Sequence, residues 1–96
     1  MPALLITNTE RKELKARAHP LNPVVMIGAA GLTPPVLQEI DRGLSSHELI
    51  KVRLSGAGSD AREELAEDIA EALSCAIVQV IGHVLVLFRP FPDDAS

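Results

Sequence analysis

Val24-Val25-Met26-Ile27-Gly28-Ala29-Ala30-Gly31-Leu32-Thr33-Pro34-Pro35 is the stretch on which the fold turns. Its opening apolar residues are mostly β-branched and lie between Pro23 and Gly28, which suits a short buried strand. Gly28 to Gly31 form a tight connector. Thr33 ahead of two prolines then reads as a helix N-cap, because its hydroxyl can accept an amide hydrogen and proline fits the first helical positions. A strand that passes through a glycine turn into a helix points to the α/β class.

Similar punctuation marks the other elements. A first helix starts near Thr7, where Glu10 three residues on completes a capping box, and it ends before Pro20. Leu14 and Ala18 share one face while Arg11, Lys12 and Lys15 lie largely on another, so the helix can dock on a sheet and keep its cations exposed. Beyond Pro35, the residues Val36, Leu37, Ile40 and Leu44 follow the helical period, and Gly43 or the Ser45-Ser46 pair ends that helix. From Glu48 to Leu54 the pattern alternates, with Ile50, Val52 and Leu54 on one side and Lys51 and Arg53 on the other, as in a half-buried strand. After Gly56-Ala57-Gly58, Ser59 or Asp60 can cap a third helix with Leu65, Ile69, Ala72 and either Leu73 or Ala76 facing inward and its acids pointing elsewhere. Two apolar runs then flank Gly82-His83, a two-residue link with glycine first and therefore a type II′ hairpin signal. Pro90 and Pro92 keep the tail out of the sheet. The predicted order is αβαβαββ: a two-layer α/β unit with three helices and a four-stranded mixed sheet. It forms a single domain over residues 1–96, with its core at about 7–90 and a tail at 91–96.

The chain has 96 residues, 47% of them hydrophobic and 23% charged, which is enough apolar material for one packed interior. No apolar run reaches the roughly 18 residues of a membrane span, and no basic segment precedes a long apolar stretch, so a cytoplasmic location is expected. Cys75 is the one cysteine, which excludes an internal disulfide and a CxxC zinc pattern; it reads as a small core residue. The net charge of −4 argues against an indiscriminately basic nucleic-acid binder. That charge is polarised, however. Residues 1–55 carry seven cations against five acids, a net of +2, and residues 56–96 carry two against eight, a net of −6.

Chemistry-bearing motifs are sparse. His19, His47 and His83 fall in three separate connections, with no nucleophile motif, HExxH or paired carboxylates beside them. No catalytic residue, metal site or cofactor is expected. The GAAG segment lacks the Lys-Ser/Thr of a P-loop and the third glycine of a dinucleotide fingerprint. A GxxG turn into a helix can still bring backbone amides close to phosphate oxygens, because glycine leaves no Cβ in the way and a helix N-terminus favours anions. The plain alternative is an ordinary strand-to-helix turn. Cations in the first helix, at Lys51 and Arg53 and at Arg89, can join the loop in one basic face. Phe88 and Phe91 are the only aromatic residues, so binding would lean on phosphates and RNA shape more than on stacked bases.

Several ordered motifs resemble one family. Lys15-Ala16-Arg17-Ala18-His19-Pro20-Leu21-Asn22-Pro23-Val24-Val25, followed by Ile27-Gly28-Ala29-Ala30-Gly31-Leu32-Thr33, is similar to the start of a CRM domain, the RNA-binding module of chloroplast RNA splicing and ribosome maturation proteins. His47-Glu48-Leu49-Ile50-Lys51-Val52, Val78-Gln79-Val80-Ile81-Gly82-His83 and Leu85-Val86-Leu87-Phe88-Arg89 continue the likeness over nearly the whole chain, in the manner of the single-domain bacterial YhbY type. The resemblance implies a fold similar to the C-terminal domain of translation initiation factor three and no catalytic activity. It also implies association with precursors of the large ribosomal subunit, with RNA contacted by the GxxG loop and neighbouring basic surface. Members often carry a polar or basic residue inside the loop, a lysine between the upstream prolines, a lysine after the hairpin glycine and a tyrosine before the final arginine. This chain has Ala29, Ala30, Asn22, His83 and Phe88 at those places.

The residues and the resemblance together point to a non-enzymatic RNA-binding protein that assists assembly of the large ribosomal subunit. Gly28, Ala29, Ala30, Gly31, Leu32 and Thr33 would form the loop site. Arg11, Lys12, Lys15, Arg17 and His19 would contribute from the first helix and its end, and Lys51, Arg53, His83 and Arg89 from the sheet. The expected partners are ribosomal RNA and the precursor subunit, without membrane or small-molecule substrate, and the protein is expected to be a monomer. The alternative is a protein-interaction adaptor that docks through the acidic third helix.

Overall fold

Thr7 sets where the first helix begins. In a computed structural model, which describes residues 4–55 and 59–91, helix α1 spans Asn8–Ala18. The Glu10 amide donates to Thr7 Oγ1 at 3.1 Å and the Thr7 amide donates to Glu10 Oε1 at 2.9 Å, closing the capping box. Strand β1 follows at Pro23–Ile27, helix α2 at Pro34–His47 and strand β2 at Leu49–Leu54. Helix α3 covers Ser59–Leu73, and strands β3 and β4 cover Ala76–Ile81 and Val84–Phe88. The αβαβαββ order is the expected one. The strands form one mixed sheet in the order β1-β2-β4-β3, with β1 parallel to β2 and β4 antiparallel to both of its neighbours.

Layering departs from the two-layer expectation. Helices α2 and α3 cover one sheet face, where Ile40, Leu44, Ile69 and Ala70 meet Ile27, Ile50, Val52, Leu54, Leu85 and Leu87. Helix α1 covers part of the opposite face, setting Leu14 and Ala18 against Leu49, Val78 and Val86. The chain already carried the sign of this in β4, whose run Val84–Phe88 is apolar at every position. An unbroken apolar strand needs cover on both faces. Helix α1 itself conceals the fact, because only Leu14 and Ala18 of its residues are buried.

Helix α2 ends differently from the sequence reading. Helix α2 runs through Gly43 and the serines to His47, and it stops because Glu48 takes a left-handed φ of 65° and donates its amide to Leu44 O at 3.0 Å. Gly43 is a packing residue: a Cβ there would lie 3.4 Å from Ile50 Cδ1. Helix α3 ends at Ser74, with φ 53°, and the Cys75 amide reaches back to Ala70 O at 3.1 Å, which is a Schellman closure. Its inward residues also differ. Ala66, Ile69 and Ala70 are buried and Leu65 and Leu73 partly so, while Ala72 is exposed and Ala76 belongs to β3. The capping role expected of Ser59 or Asp60 lies outside the described side chains, as does the tail beyond Phe91. At the hairpin, Gly82 has φ 54° and positive φ outside glycine is confined to Glu48 and Ser74 among the described residues, as a type II′ turn requires.

Cys75 is fully buried beneath α3, and burial pushes its thiol up to about 11 against a weaker opposing pull from Arg89. At pH 8 a thiol at about 11 is roughly one part in a thousand thiolate. Iodoacetamide is therefore expected to leave Cys75 unmodified in the folded protein and to label it once denaturant unfolds the chain, as mass spectrometry would show. No helix among the described residues is long and apolar enough to cross a membrane.

Candidate functional site

The site is built at one end of the sheet. Strand β1 leaves the core at Ile27 and enters a turn closed by the Gly31 amide donating to Gly28 O at 3.0 Å. Gly31 sits at φ 77°, a conformation that costs other residues about 1–2 kcal/mol. A Cβ added at either Gly28 or Gly31 would meet no atom within 4 Å, so the loop backbone is open to approach. Among the described residues the amides of Ala29 and Ala30 have no acceptor, which leaves them able to donate outward.

Helix α2 contributes less than expected to such a site. Pro34 and Pro35 occupy its first two positions and have no amide hydrogen. The Val36 amide is taken by Thr33 Oγ1 at 3.4 Å and the Leu37 amide by Thr33 O at 3.0 Å. Its dipole still faces the loop, but the donors available to an anion belong to the loop itself.

Of the expected cations, the structure brings some to this end and sends others away. Arg53 is exposed on β2, paired in register with Met26, two residues before the loop. His83 lies in the adjacent hairpin, where its carbonyl accepts the Leu54 amide at 2.6 Å and its Nδ1 lies 3.2 Å from Arg62. Lys51 shares the sheet face of Arg53 and donates to His19 O at 3.4 Å, tying that face to the end of α1. Lys12, Lys15 and Arg17 are exposed on α1. Arg11, by contrast, donates to Ile77 O at 2.6 Å and Val78 O at 2.9 Å along the edge strand β3. Arg89 lies at the opposite end of the sheet. It donates to Asp41 Oδ1 at 2.8 Å, Leu73 O at 3.0 Å, Asp41 O at 3.1 Å and Ser45 Oγ at 2.9 Å, which makes it a clamp between α2 and the end of α3.

The acids of α3 do not all point away, as the sequence suggested. Glu64 and Asp68 line a cavity of about 330 Å³ together with Gly28, Ala29 and Gly31. Their spacing puts both on one helical face, yet nothing in the sequence says that this face borders the loop; only the docking of α3 near the ends of β1 and β2 does. The loop thus divides two electrostatic regions. On the α3 side are two carboxylates, and on the other is the sheet face bearing Lys51 and Arg53. Among the described residues no group of three or more His, Cys, Asp or Glu side chains is placed to hold a metal ion.

Comparisons with known proteins place the chain among relatives. The family model for the CRS1 / YhbY (CRM) domain matches residues 6–89. A Haemophilus influenzae protein named "RNA-binding protein" is 46% identical over 85 residues, covering 88% of this chain and 86% of that one. A Pseudomonas aeruginosa protein named "Probable RNA-binding protein" is 36% identical, covering 93% of this chain and 86% of its own. The solution structure of a Staphylococcus aureus protein superposes with a TM-score of 0.83 at 33% identity, over 94% of each chain. These relatives are named for RNA binding and not for a catalysed reaction.

Proposed function

The chain belongs to the CRS1 / YhbY (CRM) domain family, and from that premise we propose that it is a non-enzymatic RNA-binding protein that assists assembly of the large ribosomal subunit. The observation that carries the RNA contact is the open Gly28–Gly31 turn, with two amides that have no acceptor among the described residues and Arg53 beside it. Phosphate oxygens take their hydrogen bonds from Ala29 and Ala30 and their charge neutralisation from Lys51, Arg53 and the α1 residues Lys12, Lys15 and Arg17. Carboxylates at Glu64 and Asp68 turn the phosphate backbone toward the sheet side of the loop, away from α3. The ribosomal part of the reading comes from the likeness to the bacterial single-domain type, and the protein acts as a monomer in a cytoplasmic pool.

Binding to structured fragments of large-subunit ribosomal RNA, titrated against salt, tests this function. Roughly three to five phosphate contacts give a slope of log affinity against log salt of about −2 to −4. Lys12→Glu with Lys15→Glu makes that slope shallower. Affinity indifferent to salt and to this pair overturns the electrostatic reading. Removing the opposing charges works the other way: Glu64→Gln with Asp68→Asn is expected to tighten binding about three- to fivefold at low salt, with the gain fading near 1 M salt, where screening acts over about 3 Å. Finding the protein on ribosomal particles after RNA contact is abolished at the loop favours instead an adaptor docking through α3.

A further inference from the structure

Met26, Arg53, Val84 and Ile81 stand in one register row across all four strands: Met26 opposite Arg53, Arg53 opposite Val84, and Val84 opposite Ile81. Their chain neighbours Ile27, Leu54, Leu85 and Val80 pack into the core beneath α2 and α3, so the row faces the other way. Helix α1 covers that second face only farther along, over Leu49, Val78 and Val86. The row is left open. Met26 is 62% exposed and Ile81 52%, and Arg53 is exposed between them.

Charge and continuity point to the occupant. No strand contains an acidic residue, and β2 adds Lys51 to Arg53 on this face, in a chain whose net charge is −4. An apolar surface with cations and no acids suits a polyanion that also has flat apolar faces. The row also leads directly into the GxxG turn, since Met26 is followed by Ile27 and Gly28. We propose that the row is a second RNA subsite, where unpaired nucleotides lie across the open end of the sheet. Their bases rest on the Met26 thioether and the Ile81 and Val84 methyls, and Arg53 offers its planar guanidinium to a base face or a phosphate. This rests on the reading of the loop as an RNA contact and adds a single-stranded segment to it.

The test compares a fluorescently labelled oligouridylate with a fully paired RNA hairpin, using the full chain. Met26→Glu and Ile81→Glu alter exposed side chains outside the loop contact, and thermal melts followed by circular dichroism establish that each variant folds. Each is expected to weaken the oligouridylate about tenfold, equivalent to one decade in Kd, and the hairpin by less than about threefold, whereas Gly28→Asp weakens both. If Gly28→Asp weakens both probes and the row variants change neither, the loop reading stands and the subsite is overturned. If wild type binds neither probe, both readings fall. If the row variants spare RNA affinity yet release the protein from ribosomal particles, the row is a protein-docking surface and the proposal is overturned.

Discussion

Gly28→Asp is expected to weaken RNA binding about thirty-fold while leaving the melting temperature unchanged within about 2 °C. The stability half of that expectation follows from space and backbone. A Cβ at Gly28 meets nothing within 4 Å, and Gly28 does not share the left-handed φ of Gly31. The affinity half follows from charge. Two like charges about 4 Å apart repel by roughly 1 kcal/mol in bulk water and by about 4 kcal/mol at a partly screened protein surface. An intermediate value near 2 kcal/mol corresponds to about thirty-fold in Kd. Gly31→Asp is the poorer experiment, because the strain of forcing a side chain to φ 77° adds about 1–2 kcal/mol of instability to any loss of contact. Fluorescence anisotropy with ribosomal RNA, alongside a thermal melt, measures both halves. Unaltered affinity in a folded Gly28→Asp protein would make the loop an ordinary turn.

Arg89→Met should do the reverse, lowering stability by about 2–3 kcal/mol and leaving the RNA affinity of the folded protein unchanged. The ion pair with Asp41 contributes little of this, because the Asp41 side chain is 52% exposed and surface pairs are worth about 0–1 kcal/mol. More comes from the carbonyl of Leu73, the last residue of α3, which has no partner within its own helix and would lose the Arg89 donor at 3.0 Å. The Asp41 carbonyl and the Ser45 hydroxyl lose the same guanidinium. For a domain of this size such a loss lowers the melting temperature by roughly 10–15 °C. Methionine keeps the apolar stem of the side chain, so the change reports the hydrogen bonds more than packing. A variant that melts like wild type but binds RNA weakly would return Arg89 to the RNA face.

These two residues also mark what the amino-acid sequence conveys and what it does not. The order of elements was legible because each start and stop carries its own chemistry: Thr7 with Glu10, Pro23, Thr33 with two prolines, and the glycine-first hairpin. Helix ends at Glu48 and Ser74 were not, since a left-handed cap on a residue other than glycine leaves no compositional trace, and Gly43 drew attention although its role is to let α2 approach Ile50. The loop was readable as a candidate site from its spacing. Which charges surround it was not. Arg89 and Glu64 look alike in the sequence as solvated charges, but tertiary docking locks Arg89 between two helices and sets Glu64 beside the loop. Local pattern reports which residues lie on one face of an element; it is silent on which neighbouring element that face meets.

In the proposed function RNA lies across the GxxG turn and the cationic side of the sheet. Crosslinking RNA to the protein on particles isolated from cells, with the modified residues identified by mass spectrometry, tests it most directly. Crosslinks are expected within residues 26–33, at Lys51 and Arg53 and along the exposed side of α1, to RNA of the large-subunit precursor. Crosslinks concentrated on α3 or around Arg89, with the turn unmodified, would contradict it.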